Sequence, residues 1–223
     1  MTITYPYKNN LYLNITNRCS NNCTFCLKNP APKRSLVLDQ SRTVLDHFNY
    51  NKELVRGFSW NFAGVNLKLT REPSRKEIIE DAIKNYKGEP EIVFCGIGEP
   101  LMRLDDVLDV SRQLKKQLKA SLRIDTNGQA KVLYPQRNVA KELSKVIDAI
   151  SISLNAENEE KYNQLCRPVH SNAYPQILEF IKDCRKYFEV TLTALKIASV
   201  DIKKCRKIAE DLRVRFRVRE FIE

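Results

Sequence analysis

The residues with the clearest chemistry are Cys19, Cys23 and Cys26, a C-x3-C-x2-C loop directly after the apolar run Leu11-Tyr-Leu-Asn-Ile-Thr16. Three thiolates this close suit three irons of a cubane 4Fe–4S cluster, because soft sulfur is the preferred ligand of such centres. A ferredoxin-type cluster takes four Cys, and no fourth lies nearby. The fourth iron would stay open to a non-protein ligand, as catalytic zinc keeps one position open. The alternatives are a zinc site and chance. Structural zinc takes four ligands, in separated pairs or with His, and His47 and His170 stand in no such spacing. Cys95, Cys166, Cys184 and Cys205 are scattered, which argues against a second cluster. Cys184 and Cys205 fall in helical patterns and read as small core hydrophobes. Cys95 ends a strand, and Cys166, before Arg167-Pro168, is the remaining thiol best placed for chemistry.

The second chemical feature is Glu91-Ile-Val-Phe-Cys-Gly-Ile-Gly-Glu-Pro100, an apolar run ending in a Gly-rich turn. Glycines there let the backbone approach a ligand closely, and Glu99 places a carboxylate at the strand's end. Alone, G-x-G-E-P also fits a plain strand-to-helix turn; downstream of the Cys loop it reads as part of a ligand site.

The Cys spacing, with Phe25 before the last Cys, resembles the signature of the radical S-adenosylmethionine (radical SAM) superfamily. The Gly96–Pro100 turn is similar to its GGEP motif, with Ile97 inserted between the glycines. The resemblance implies a 4Fe–4S cluster on Cys19, Cys23 and Cys26 whose open iron is chelated by S-adenosylmethionine. It further implies reductive cleavage to methionine and a 5′-deoxyadenosyl radical, which removes hydrogen from a substrate. Gly96, Gly98 and Glu99 would hold the methionyl ammonium, and Phe25 would pack near adenine. Ile124-Asp-Thr-Asn-Gly128 and Asp148-Ala-Ile-Ser-Ile-Ser-Leu-Asn155 resemble middle strands of the small activase and 7-carboxy-7-deazaguanine synthase branches. That likeness implies Ser153 at the ribose, Asn155 at the methionyl carboxylate, and Asp125 and Thr126 beside the cofactor. Activases often carry Asp and Lys where this chain has Ser153 and Asn155. The stretches 63–79, 94–100 and 216–222 resemble the TatD-associated radical SAM proteins, a likeness over nearly the whole chain that implies the chemistry but no substrate. A reductant such as flavodoxin or ferredoxin and an oxygen-sensitive oxidoreductase follow from the same resemblance.

Positioning these groups requires alternating elements. Strands are expected near 11–16, 91–95, 121–125, 148–154, 189–195 and 214–219, and helices near 74–87, 103–119, 136–146, 172–187 and 201–212. Ser74 and Glu77 form a capping box, and Asp201 is an N-cap ahead of the stripe Ile202, Cys205, Ile208, Ala209 and Leu212. Alternating β and α units predict an α/β fold, a parallel curved sheet with helices outside. Six such units make a partial (βα)6 TIM-like barrel. With 223 residues, one domain over 1–223 is expected. Residues 27–73 lack periodicity and read as an insertion after the cluster loop, either a lid over the cofactor or a surface excursion.

Alternation also assigns faces. Leu11, Leu13 and Ile15 oppose Tyr12, Asn14 and Thr16; Ile150, Ile152 and Leu154 oppose Ser151, Ser153 and Asn155; Val214, Phe216 and Val218 oppose Arg215, Arg217 and Arg219. The apolar set should pack on helices and leave a polar lumen. Asn14, Arg215 and Arg217 are therefore expected at the substrate, and guanidinium favours an anionic one; the alternative is an edge strand guarded by charge.

The chain carries 38 basic and 27 acidic residues, a formal +11, which suits anionic partners and leaves nucleic acid open. It has no long apolar run and no signal-peptide pattern, and its seven Cys form no even framework. These features predict no membrane span and a reducing, cytoplasmic setting. The leading expectation is an enzyme acting on a small molecule. The alternatives are an activase for a glycyl-radical protein and a non-catalytic iron–sulfur or nucleic-acid-binding module.

Overall fold

The computed structural model describes residues 1–28, 60–62 and 64–220. The central sheet runs β1 (Thr4–Tyr7), β2 (Asn10–Leu13), β5 (Glu91–Phe94), β6 (Ser121–Thr126), β7 (Ala149–Ser153), β8 (Val190–Leu195) and β9 (Arg215–Arg219), in that spatial order. From β2 to β9 every pair is parallel; β1 alone is antiparallel, on β2. The helices are α1 (Arg75–Asn85), α2 (Leu104–Gln117), α3 (Ala130–Leu133), α4 (Val139–Leu143), α5 (Glu159–Cys166), α6 (Ala173–Cys184) and α7 (Ile202–Asp211), with a 3₁₀ turn at Pro100–Arg103. This is the expected α/β partial barrel, with one strand more than anticipated at its edge. A short hairpin, β3 (Asn61–Phe62) and β4 (Val65–Asn66), lies within the 27–73 stretch.

Local chemistry accounts for the element ends. Ser74 and Glu77 close the capping box on α1, and Asp201 accepts from the Lys204 amide at the start of α7. Two of the elements that the sequence pattern does not announce, β1 and α5, have clear local causes. β1 turns into β2 through Lys8 and Asn9, both at positive φ, the backbone that a two-residue hairpin requires. The other, α5, is capped by the Asn158 side chain and ends at Arg167 in the left-handed region. The expected helix at 136–146 shrinks to α4, preceded by the separate turn α3.

The sheet divides two apolar bodies. Leu11, Leu13, Ile92, Phe94, Leu122, Ile124, Ile150, Ile152 and Leu192 point to the helices and form the main core, as the alternation required. The lumen is not uniformly polar, which corrects the expectation. Its β1–β2–β5 side is filled by Tyr5, Tyr12, Val93 and Ile97, joined by Tyr7, Trp60 and Phe62. Tyr5 and Tyr12 stand 5.3 Å apart and Tyr7 meets Phe62 edge-on at 4.8 Å. The β6–β9 side carries Arg123, Asp125, Ser151, Ser153, Thr193 and the arginines of β9.

The 27–73 insertion is described only at its ends. Leu67 and Leu69 are buried, and the Leu67 and Leu69 carbonyls accept from the Asn14 and Asn17 side chains at 2.8 and 2.7 Å. The lid expectation falls mainly on 29–59, outside the described residues. No helix among the described residues is long and apolar enough to cross a membrane.

Candidate functional site: a clamped cysteine loop at the carboxyl ends of the strands

The Cys loop leaves β2 and is gripped from three sides. From the end of α5 onward, the Leu165 carbonyl accepts from the Thr24 amide at 2.8 Å, the Cys166 carbonyl from the Asn22 amide at 3.0 Å, and Val169 N–H donates to the Ser20 carbonyl at 2.9 Å. After β5, the Glu99 amide donates to the Arg18 carbonyl at 2.8 Å and Cys95 N–H to Leu13 at 3.1 Å. After β6, Asn127 Nδ2 donates to Ser20 Oγ at 2.9 Å and approaches Cys19 Sγ at 3.8 Å.

Beneath the loop lies a buried polar network. Asn21 Nδ2 donates to Tyr162 Oη at 3.0 Å, and Gln129 Nε2 donates to Asn21 Oδ1 at 2.6 Å and to Tyr162 Oη at 3.0 Å. Tyr162 and Gln129 are fully buried. Buried amides are costly unless paired, so these bonds fix where Asn21 places the loop. Sequence reading gave Tyr162 no partners because Asn21 lies 141 residues away; nothing in the local pattern marks the contact.

The glycine turn fits against the same loop. A Cβ on Gly98 would lie 2.2 Å from the Thr16 carbonyl oxygen and 2.6 Å from that of Arg18. A Cβ on Gly96 would lie 2.2 Å from Asn14 Oδ1. The close approach these glycines permit is thus to the loop leaving β2. Glu99 is buried at 3 % exposure. Its Oε1 accepts from Leu101 N–H and Thr126 Oγ1 at 3.0 and 2.7 Å, and its Oε2 from Asn127 N–H at 2.6 Å. Burial outweighs these donors and pushes the carboxyl up to about 7.

The three thiols also respond to burial. It raises all three, Cys19 to about 12, while for Cys23 a hydrogen bond with the Cys166 thiol is the larger cause. Thiols in this state give up their protons to a cationic centre. No group of three His, Cys, Asp or Glu closes around one ion among the described residues; a cubane spreads its cysteines over separate irons. The donor set, half-buried and facing one strand end, therefore fits a cluster with three protein ligands.

Of the other expected positions, Asp125, Ser153 and Asn155 lie toward the carboxyl ends of β6 and β7, and the rest are dispersed. Asp125 pairs with Arg123, yet burial raises its carboxyl. Arg123 also reaches Glu91 at 3.2 Å. Asn155 is buried in the left-handed region at φ 61°, where Asn is tolerated. Its Nδ2 lies 3.8 Å from Cys166 Sγ and its Oδ1 accepts from Arg219 at 2.7 Å. Ser153 ends β7 beside Thr193, and Phe25 packs on the main core. Asn14 binds the Thr2 and Leu67 carbonyls through Nδ2. Arg215 sits at the other end of β9 from the Cys loop, two-thirds exposed and paired with Glu189. Arg217 is exposed, and its charge reaches Asp125. Of the three arginines expected on this face, Arg219 is the one that reaches Asn155, while Arg215 and Arg217 stay exposed. A groove of about 480 Å³ between α1 and α2, lined by Arg75, Lys76 and Arg112, lies in the outer helix layer away from these groups.

Comparison with known proteins agrees with this geometry. The Radical SAM superfamily matches residues 13–212, and the chain belongs to that superfamily. The family uses a 4Fe–4S cluster and S-adenosylmethionine. Among curated proteins, the chain is 32% identical over 131 residues to a probable dual-specificity RNA methyltransferase RlmN of Synechococcus sp. (strain CC9902), covering 55% of this chain and 36% of that protein. It is 27% identical over 164 residues to the RlmN of Halorhodospira halophila, covering 70% and 42%. The chain thus spans about a third of the curated relatives it matches. Among solved structures, native anSMEcpe with bound AdoMet superposes with a TM-score of 0.59 at 15% identity, over 95% of this chain and 51% of that one. The [FeFe]-hydrogenase maturase HydG gives 0.61 at 14%, over 96% and 42%. At these identities the likeness is one of fold.

Proposed function

We propose that the chain is the catalytic core of a radical SAM enzyme, with Cys19, Cys23 and Cys26 as cluster ligands. The observation that carries this is the three-sided clamp, which joins the thiols to the Glu99 turn through Arg18 and Asn127. When bound, the cluster supplies one electron to the sulfonium of S-adenosylmethionine, giving methionine and a 5′-deoxyadenosyl radical. Glu99 accepts the methionyl ammonium: a carboxylate has roughly four lone-pair positions, and three are filled by protein donors. Thr126 orients Glu99, Gly96 and Gly98 let the turn lie against the cluster loop, and Phe25 flanks the adenine. Asp125, Ser153 and Asn155 face the nucleoside and the methionyl carboxylate across the opening. Tyr12, Tyr5 and Ile97 wall off water on the other side. An external one-electron donor such as flavodoxin or ferredoxin supplies the reductant. The substrate is a small molecule.

A second reading, RNA as substrate, is favoured by the relatives named RNA methyltransferases. It is also favoured by charge: between 182 and 219 stand twelve Lys and Arg against five Asp and Glu, most of the chain's +11. The test is anaerobic cluster reconstitution, reduction and addition of S-adenosylmethionine, with mass spectrometry for 5′-deoxyadenosine and methionine. Wild type should yield both, and a Cys19/Cys23/Cys26→Ala triple variant neither. A cluster-loaded wild type that never cleaves S-adenosylmethionine, with or without RNA, would remove the catalytic reading.

A further inference from the structure

Arg219 closes β9, on the face that β9 turns to the lumen. Its Nη2 donates to Asn155 Oδ1 at 2.7 Å, while its Nε is buried and has no hydrogen-bond partner. No ion pair reaches it among the described residues. The carboxylate that faces it, Asp125, is already paired with Arg123. Asp125 and the Cys95 and Cys23 thiols surround Arg219, and Arg217 adds a second positive charge on the same face. Asp125 is thus shared among three guanidiniums, those of Arg123, Arg217 and Arg219. Burial penalises the charged guanidinium, and a buried cation lacking a counter-ion is strongly unfavourable. Arginine also stays charged under nearly all conditions, so it cannot escape by losing its proton as lysine does.

We infer that Arg219 is an anion-binding residue whose free Nε–H, aimed into the lumen beside Asn155, takes a carboxylate or phosphate oxygen of a bound ligand. A planar guanidinium held at one nitrogen by Asn155 keeps its remaining donors in fixed directions, which suits an oxyanion and would not suit a neutral partner. The anion has two sources, the methionyl carboxylate of S-adenosylmethionine and an acidic group of the second substrate. The inference rests on the radical SAM reading of the same opening and adds the residue that selects charge there.

The experiment uses cluster-loaded full-length chain, as wild type, Arg219→Gln and Arg219→Lys, each checked for iron content and circular dichroism. Equilibrium dialysis measures affinity for S-adenosylmethionine and for its decarboxylated analogue. Thermal midpoints with S-adenosylmethionine present are recorded with malonate and with inorganic phosphate as substrate-side probes. If Arg219 holds the methionyl carboxylate, Arg219→Gln binds S-adenosylmethionine about 10- to 100-fold more weakly, the loss expected for a charge-assisted hydrogen bond. The decarboxylated analogue then binds both proteins equally. If Arg219 holds the second substrate, S-adenosylmethionine affinity is unchanged, and malonate or phosphate raises the midpoint of wild type but not of Arg219→Gln. In either case Arg219→Lys recovers only part of the effect. Equal behaviour of all three proteins toward all four ligands overturns the inference. Failure of the radical SAM reading looks different: wild type would bind no S-adenosylmethionine, and the malonate and phosphate arms without it would still report on Arg219.

Discussion

Glu99 offers the sharpest test, because its environment makes ligand binding depend on pH in a defined direction. Burial raises its carboxyl from an ordinary 4.5 to about 7. A carboxyl raised on folding contributes its full stability below the unfolded value and loses it as pH rises through the folded one. The protein without ligand therefore gives up roughly 3 kcal/mol between those limits, from about 1.4 kcal/mol per pK unit. An ammonium placed on the fourth lone-pair position offsets that cost, so it binds the ionised form. S-adenosylmethionine should therefore bind about tenfold more weakly for each unit below pH ~7, and about 30-fold more weakly near pH 5.5. The ligand's own α-amino group, titrating at about 7.7–8.0, sets the upper limb of a bell. Equilibrium dialysis against cluster-loaded protein across this range, with iron measured at each pH, gives the profile. Glu99→Gln should bind weakly throughout and lack the lower limb. A flat wild-type profile between about pH 5.5 and 7, or a lower limb retained by the Gln variant, would show that Glu99 does not meet the ammonium.

Two further outcomes follow from the clamp. Tyr162→Phe removes the hydroxyl that accepts from Asn21 and Gln129 and strands two buried donors, so stability should fall by about 2–4 kcal/mol. That corresponds to roughly 4–16 °C in Tm, read by circular dichroism; a shift under about 1 °C would mean that water or rearrangement satisfies both amides. Gly98→Ala drives a methyl into the Thr16 and Arg18 carbonyls, neither of which is a movable side chain, and should cost about 1–3 kcal/mol. Urea unfolding checks this, and wild-type stability in the variant would mean that the turn can back away from the loop.

The strand pattern was legible because alternation on a two-sided sheet is a strong signal: Leu122, Ile124, Ile150 and Ile152 go to the helices as read. β1 escaped because Thr4-Tyr-Pro-Tyr7 is short, contains Pro6, and turns through Lys8 and Asn9 rather than a Gly. The aromatic half of the lumen escaped with it, since Tyr5 and Tyr7 arrive on β1. At the opening, the Cys spacing and the Gly-Glu-Pro turn announce themselves locally. Asn21, Asn127, Gln129 and Tyr162 do not, because amides and phenols occur in every loop and only the fold brings these four together. Arg219 was on the correct face by periodicity, but the choice among the β9 arginines depends on depth along the strand. Arg215 lies at the exposed end beside Glu189 and Arg219 at the end that meets Asn155.

The long reach of the clamp has a consequence in time. Tyr162 and Leu165 each close on the Cys loop across 141 residues. On a ribosome adding about 5–20 residues per second, the three thiols emerge roughly 7–28 s before their clamp has been synthesised. Through that interval they are exposed, close together and without their fixed geometry, so a nascent chain is open to oxidation or to capture of the wrong metal. The geometry that the clamp gives the three thiols forms only once synthesis has passed residue 169, whose amide binds Ser20.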